Sequence, residues 1–454
     1  MENQKVFNRG FVVLGAILIQ LALGAIYAWS VFTPTLKAEG WSSENTQWVF
    51  AVGLASFALF MVFAGKKLTT WGPRTLAWTG GIILGIGYLL AGILGGTSFI
   101  ALLILIGLVG GAGIGFAYVV PIAVGMRWFP DKKGMITGLA VAGFGFGAML
   151  WVKLAGSWGH LIENAGLSTT FIIYGVAFAA MVIVGGLWMK FPPAGWKPAG
   201  YEEKQGNGNA AAQPKKDFSS SEMLRKPQFY LIFLTFVFSA GAGLMSIGLM
   251  KLYPMQALME SGISETAASA IAGTAMAVFF SLANGLGRIV WGMLSDKLGR
   301  KLSIILMTAI QGVTVILFTY MAGTEVLLYV GATLIGFNFG GNFALFPTIT
   351  ADTFGAKNVG QNYPFVFLAY GVGGIFGPIL GGKMGDLNNF ALAFTISGIA
   401  VLIGTVLILS GWWDKKFSFI FHPWKWKYYY ATYCQKSYLN ISIWYQSKKR
   451  KQKS

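Results

Sequence analysis

Long apolar runs separated by short polar ones dominate this chain. A membrane-spanning helix needs about 20 mostly apolar residues. Twelve segments meet that length: residues 10–34, 46–65, 75–95, 99–121, 134–158, 168–189, 228–250, 266–291, 302–322, 325–347, 361–382 and 389–411. Most contain glycine, which membrane helices use for close packing. The first run is too long for the core of a cleavable signal peptide, and eleven more follow it. The pattern predicts an all-α polytopic membrane protein of twelve transmembrane helices.

Composition agrees. Of 454 residues, 55% are hydrophobic and only 11% charged, with a mean hydropathy of +0.62. Soluble domains carry about 25% charged residues, so a soluble enzyme, a disordered chain and a secreted disulfide scaffold are excluded. Cys434 is the single cysteine, which rules out an intrachain disulfide. The formal charge of +18 invites a nucleic-acid reading, but its placement argues otherwise. With the N-terminus inside, all but five of the 34 Lys and Arg fall on the inner side. They occupy the N-terminal segment, the loops after spans two, four, eight and ten, the central polar segment and the tail. Lys37, Lys153, Lys251 and Lys383 fall at the outer side, and Arg288 lies within a span. This asymmetry obeys the positive-inside rule. It predicts a multi-pass protein of the cell (inner or plasma) membrane with both termini cytoplasmic. The lipid bilayer is its surroundings, and no nucleic acid is expected.

Residues 191–226 are polar and rich in Gly, Pro, Lys and Glu, the composition of a flexible linker. The expected organisation is a six-helix bundle over 1–190, a cytoplasmic linker over 191–226, and a second six-helix bundle over 227–416. Residues 417–454 form a basic aromatic tail, expected to be unstructured and not shaped for folding. The halves repeat. Gly65 and Gly72 align with Gly292 and Gly299 at one offset, and Gly115-Phe-Ala-Tyr-Val-Val-Pro121 aligns with Gly341-Asn-Phe-Ala-Leu-Phe-Pro347 within one residue of it. Duplicated halves with a midplane site between them are the architecture of alternating-access transporters.

The run Gly292-Met-Leu-Ser-Asp296-Lys297-Leu-Gly299-Arg300-Lys301 resembles the signature loop of the major facilitator superfamily. The resemblance extends over residues 10–411. It implies two pseudo-symmetric six-helix halves, with Gly292, Asp296, Lys297, Gly299, Arg300 and Lys301 as a gating motif. Asp296 is expected to cap the next helix, with Arg300 and Lys301 held at the inner face. In the first-half copy Thr69 replaces the acid, so an acid-based latch belongs to the second half alone.

None of the 16 acids lies in the middle of a span, and neither does His160 or His422. Arg288 is the exception, one helical turn after Asn284. Two readings stay open. An intramembrane charge defaults to function, and a carboxylate is its natural counter-ion because two oxygens match two parallel N–H donors. Asn284, on the same face, would add a hydrogen bond. Alternatively Arg288 snorkels to the inner surface as an anchor. Lys153, beside Trp151 and Trp158, is read as a snorkelling lysine.

Three segments together resemble the oxalate:formate antiporter family and its monocarboxylate-transporter relatives. These are Ala25-Ile-Tyr27-Ala-Trp29-Ser30-Val-Phe32, Gly113-Ile-Gly115-Phe-Ala-Tyr118 and Asn284-Gly-Leu-Gly-Arg288. The resemblance implies that Arg288 binds a substrate carboxylate and that Tyr118 supplies a hydroxyl contact. Departures from the family matter. Asn284 stands where animal monocarboxylate transporters have aspartate, span one has no lysine, and span eleven lacks the lysine of oxalate exchangers. One arginine neutralises one carboxylate, which favours a monoanion such as lactate, acetate or formate over a dianion. Tyr27, Phe339, Phe343, Phe367 and Tyr370 are candidate cavity walls, with static packing as the plainer reading. The expected function is secondary transport of small carboxylates, the partner being a small organic acid anion accompanied by a proton or exchanged for a counter-anion. Oxalate:formate exchange and a transporter-like sensor are the alternatives. Two histidines, one cysteine and no intramembrane acid argue against an enzyme. No metal or cofactor is expected, and the protein is read as a monomer.

Overall fold

The apolar runs fold as the pattern predicts, into helices. The computed structural model describes residues 8–156, 158–193, 196, 198 and 217–409. Twelve helices are long and apolar enough to cross a membrane: α1 Gly10–Ala38, α2 Glu44–Lys67, α3 Pro73–Gly95, α4 Phe99–Trp128, α5 Lys133–Ala155, α6 Leu161–Gly186, α7 Pro227–Leu249, α8 Glu265–Leu298, α9 Arg300–Met321, α10 Glu325–Phe354, α11 Val359–Asp386 and α12 Phe390–Leu409. Met1–Leu407 forms one compact unit; of the second, Ile408–Ser454, only the last two residues of α12 are described. The tail expected at 417–454 and most of the linker expected at 191–226 lie outside the described residues.

Several helices outrun their apolar cores. α4 and α10 continue through Pro121 and Pro347 to Trp128 and Phe354, because neighbouring helices re-satisfy the backbone groups a proline frees. α8 carries on past Arg288 to Leu298. α6 has an extra turn before Gly166, whose φ of 75° breaks it from the predicted core. The aligned segments of the two halves also match in conformation. Gly72 (φ 80°, ψ 156°) and Gly299 (φ 87°, ψ 153°) sit at the starts of α3 and α9 in a backbone geometry open mainly to glycine. Pro121 and Pro347 both lie within helices.

Large apolar side chains cover the outside of the bundle. Leu94, Tyr320, Val326 and Phe376 are each more than two-thirds exposed, which suits lipid and not water. Inside, glycine lets backbones touch. α2 packs along α11, with Gly65 against Gly360 and Pro364, Ala58 against Gly371, Leu54 against Gly374, and Gln47 against Gly382. α5 packs along α8, with Gly134 against Gly292, Gly138 against Arg288 and Ile289, and Gly145 against Gly285. These contacts join the first six spans to the last six at both ends of the bundle. The end carrying Lys66, Arg127, Lys133 and Arg300 is called the basic end below. At the opposite end the Ser30 hydroxyl donates to Met276 Sδ at 2.8 Å, and Gln47 wedges between Gly248 and Gly382. Lys251 follows α7 there; burial holds its ammonium below the usual lysine range.

Four helices depart from α geometry. α1 tightens to a 3-10 helix over Gly24–Val31. α8 loosens to π geometry over Ala275–Phe280, α4 over Leu103–Gly110 and α3 over Ala91–Gly95. Such stretches within long helices often mark functional positions.

Candidate functional site

The centre of the bundle is built on α8, where helical spacing stacks Asn284 and Arg288 on one face. Arg288 is fully buried, so the surface-anchor geometry is not the one seen. Its Nε donates to Asn284 Oδ1 at 3.0 Å and its Nη1 to the Val141 carbonyl of α5, also at 3.0 Å. Among the described residues its Nη2 has no hydrogen-bond partner, and neither has Asn284 Nδ2. Two ring faces cover the guanidinium: Phe343 of α10 at 4.1 Å and Phe144 of α5 at 5.1 Å. Among the described residues no carboxylate pairs with it. An amide, a carbonyl and two rings replace part of its hydration and leave its charge uncancelled, which is costly in a low-dielectric interior.

Aromatic side chains close around this cation. Tyr27, in the 3-10 stretch of α1, packs on Phe144 at 4.9 Å and on Phe339 at 5.8 Å. The Tyr370 hydroxyl of α11 donates to Tyr27 Oη at 2.9 Å, tying α1 to α11. Phe367 stacks on Tyr370 at 4.7 Å and meets Tyr118 of α4 at 5.3 Å. Phe343 meets Tyr370 edge-on at 5.5 Å. The hydroxyls of Tyr27 and Tyr118 are close enough to Arg288 to interact with it. Among the described residues Tyr118 Oη nevertheless has no partner at full hydrogen-bond geometry. Every one of these side chains is at most 1% exposed. The site is sealed from both ends of the bundle.

The structure thus brings Arg288, Asn284, Tyr118, Tyr27, Phe343, Phe367 and Tyr370 to one place. It also adds residues that the sequence did not single out: Val141 through its carbonyl, Phe57, Phe144 and Tyr363. Phe57 touches Tyr118 and Phe367, both at 4.9 Å. Tyr363 is fully buried on α11, and its hydroxyl has no hydrogen-bond partner among the described residues. Aromatic residues fill every span, so no sequence signal separated these from packing. Lys153 is half-buried, but its neighbour Trp151 is buried and donates to the Leu21 carbonyl at 2.8 Å, so Trp151 is not an interfacial residue.

The gating residues sit apart, at the basic end. Gly292 touches the Gly134 backbone. Asp296 corrects one expectation: it does not cap α9, the next helix. Its two oxygens accept from the backbone N–H groups of Gly134 (3.2 Å) and Met135 (3.0 Å) at the start of α5. The reason is reach. Gly134 and Gly292 bring the two backbones into contact, which sets the Asp296 carboxylate over the free N–H groups and positive dipole end of α5. Arg300 binds Asp296 at 2.7 Å and Asp352 at 3.0 Å, and donates to Ser295 Oγ. Lys133 adds an ion pair to Asp352 at 3.7 Å. Lys297 is exposed, Lys301 half-buried, and Gly299 supplies the turn.

The sequence profile of the Major Facilitator Superfamily matches residues 12–279 and 241–417. The chain belongs to this superfamily. It is therefore a multi-pass membrane protein of a transporter family. It is 31% identical over 374 residues to the uncharacterised MFS-type transporter YhjX of Escherichia coli (strain K12), covering 81% of this chain and 86% of that one. It is 28% identical over 403 residues to the oxalate:formate antiporter of Oxalobacter formigenes, with coverage of 88% and 90%. Monocarboxylate transporter 13 of Rattus norvegicus is 24% identical over 407 residues, covering 88% of each chain. Among the described residues of this superfamily member, no group of His, Cys, Asp and Glu is placed to hold a metal ion.

Proposed function

We propose that this protein is a secondary transporter of small monocarboxylates working by alternating access. We place it in the cell (inner or plasma) membrane as a monomer, with the basic end and both termini cytoplasmic. The two six-helix bundles rock about the central site, and the polar segment 191–226 joins them as a linker. The observation that carries the reading is the buried, uncancelled charge of Arg288 with two unused donors beside it. A carboxylate accepts from Arg288 Nη2 and Asn284 Nδ2 and cancels the charge. Tyr27 and Tyr118 add hydroxyl contacts, while Phe343, Phe367 and Tyr370 wall the ligand. Asn284 is neutral, so the single cation matches a monoanion. The relatives named for formate and for monocarboxylates support this class.

The same charge bears on coupling. Closing the carrier around an empty site strands a guanidinium in the membrane, whereas closing it around an anion does not. Exchange of one anion for another is therefore faster than net uptake. At the cytoplasmic end, opening breaks the Asp296–α5 contact; at the outer end it withdraws Gln47 and Ser30.

The test is uptake of labelled lactate, formate and oxalate into proteoliposomes that are empty, preloaded with acid or held under a proton gradient. Arg288→Ala should abolish uptake of every acid with the protein still folded. Undiminished saturable uptake by that variant would refute the assignment. Oxalate entering only formate-loaded vesicles would replace the monoanion reading with oxalate:formate exchange. Saturable binding without flux would mark a sensor.

A further inference from the structure

The chain does not run straight into α7. At the basic end, residues 217–223 first bind the turn between α10 and α11. The Phe218 N–H donates to the Phe354 carbonyl at 2.8 Å, and the Lys357 N–H donates to Asp217 Oδ1 at 3.2 Å. Asn358 Nδ2 and Asn362 Nδ2 both donate to the Phe218 carbonyl, at 3.0 and 2.9 Å. Ser220 Oγ donates to Asn362 Oδ1 at 2.9 Å. Gly355 turns the chain with a φ of 97°, and Asp217 occupies the space a Cβ would need there. Met223 is fully buried, and Ser219 and Glu222 form a capping box that fixes the short helix Ser220–Met223.

A plain connector needs none of these bonds. Residues 199–216 span up to about 60 Å when fully extended, so linker length does not restrain the two halves. The docked end acts where it is bound, and it is bound to the inner contact surface of the last six spans. Asp352, just before the turn, pairs with Lys133 of α5 at 3.7 Å. Gly360, just after it, meets Gly65 and Leu68 of α2. The turn is therefore gripped by the first six spans and by residues 217–223 at once. The turn between α4 and α5 is held in a related way from before α1. There Arg9 pairs with Asp131 at 3.9 Å and covers Phe129 at 4.5 Å. That ion pair is partly exposed and therefore weak, whereas five hydrogen bonds hold the turn between α10 and α11.

Resting on the alternating-access reading above, we propose that residues 217–223 are a strap that presents the α10–α11 turn to α2 and α5, and so sets how firmly the basic end closes. Opening that end removes the contacts from α2 and α5 and leaves the strap in place. Loosening the strap lets the turn shift away from Leu68 and Lys133, which favours the form open at the basic end over the form open at the outer end. Asp217 is a positioning residue: it acts through the turn and touches no substrate.

Two cysteine reporters read the balance in the full-length protein with its single native cysteine removed by Cys434→Ser. Leu68→Cys reports the basic end; Ile247→Cys, buried beside Gln47 and Ser30, reports the outer end. Both are labelled with a soluble maleimide in detergent, where each end is within reach. Asp217→Ala should speed labelling at Leu68→Cys about fivefold, the worth of one hydrogen bond, and slow it at Ile247→Cys. Asn358→Ala should do the same, and serves alone should Asp217→Ala fail to fold. A turn that is merely structural would lower the melting temperature and leave both labelling rates unchanged, which would overturn the proposal. Labelling that rises at both ends would overturn it too. Asp296→Asn, which leaves the strap whole, separates this proposal from its parent. If it moves the reporters in opposite senses and the strap variants do not, the strap alone is refuted. If no variant moves them in opposite senses, alternating access between these two ends falls, and the strap with it.

Discussion

A single methyl group added at Gly138 would test whether the closed form described above belongs to the transport cycle. Gly138 lies on α5 where it crosses α8, beside Arg288. A Cβ there would overlap the Arg288 carbonyl oxygen, and would sit 2.8 Å from its carbonyl carbon and 3.1 Å from Ile289 Cα. All three obstacles are backbone, so no rotamer change relieves them. The helices must part by roughly 1 Å, and overpacking of this kind costs about 1–3 kcal/mol. That disfavours the closed form by about 5- to 150-fold. An open carrier can still bind, because the clash exists only when α5 and α8 meet. Gly138→Ala should therefore retain substrate binding, measured as a ligand-induced rise in melting temperature, and lose most of its exchange rate. Exchange at the wild-type rate with binding intact would refute the idea that substrate is carried through this closed packing.

Other outcomes follow from the two ends of the bundle. Asp296→Asn removes a charge from the α5 N-terminus and from Arg300; the pair is partly exposed, with Asp296 at 27%, so the loss is about 1 kcal/mol. A cysteine placed at the buried Leu68, beside Gly360 at the basic end, should then react several-fold faster with a soluble maleimide, and an unchanged rate would contradict the latch. Lys251 gives a pH effect. Burial lowers its folded-state pKa below 10.5, so its charged form burdens the fold at neutral pH and that burden lifts as pH rises through the folded pKa toward 10.5. Lys251→Gln should melt higher at pH 7 and lose the gain in stability that the wild type shows on the alkaline side.

Much of this was legible in the residues. Twelve spans follow from length and apolarity alone, because the bilayer imposes a minimum on both. Arg288 stood out because a cation in an apolar run is expensive, and Asn284 followed from helical spacing. What stayed hidden depends on partners far away in sequence. The cap on α5 joins residues 161 and 162 positions apart, so the local sequence around Asp296 pointed to the nearer helix. Val141 contributes a carbonyl, which every residue has. Phe57, Phe144 and Tyr363 resemble lipid-facing aromatics until the packing places them. Helix ends at Pro121 and Pro347 were cut short because proline reads as a stop in water, while within a bundle its unsatisfied carbonyl finds other donors.

The tightened stretch of α1 over Gly24–Val31 acts as a reserve of length and rotation. A 3-10 helix rises about 2.0 Å per residue against 1.5 Å for an α-helix, so relaxing these eight residues shortens α1 by about 4 Å. It also unwinds the segment by nearly half a turn, since each residue turns about 120° in one form and 100° in the other. Tyr27 rides on this segment. Relaxation would swing its ring out of line with Tyr370 and draw the two ends of α1 together, a winding change that its neighbours need not share.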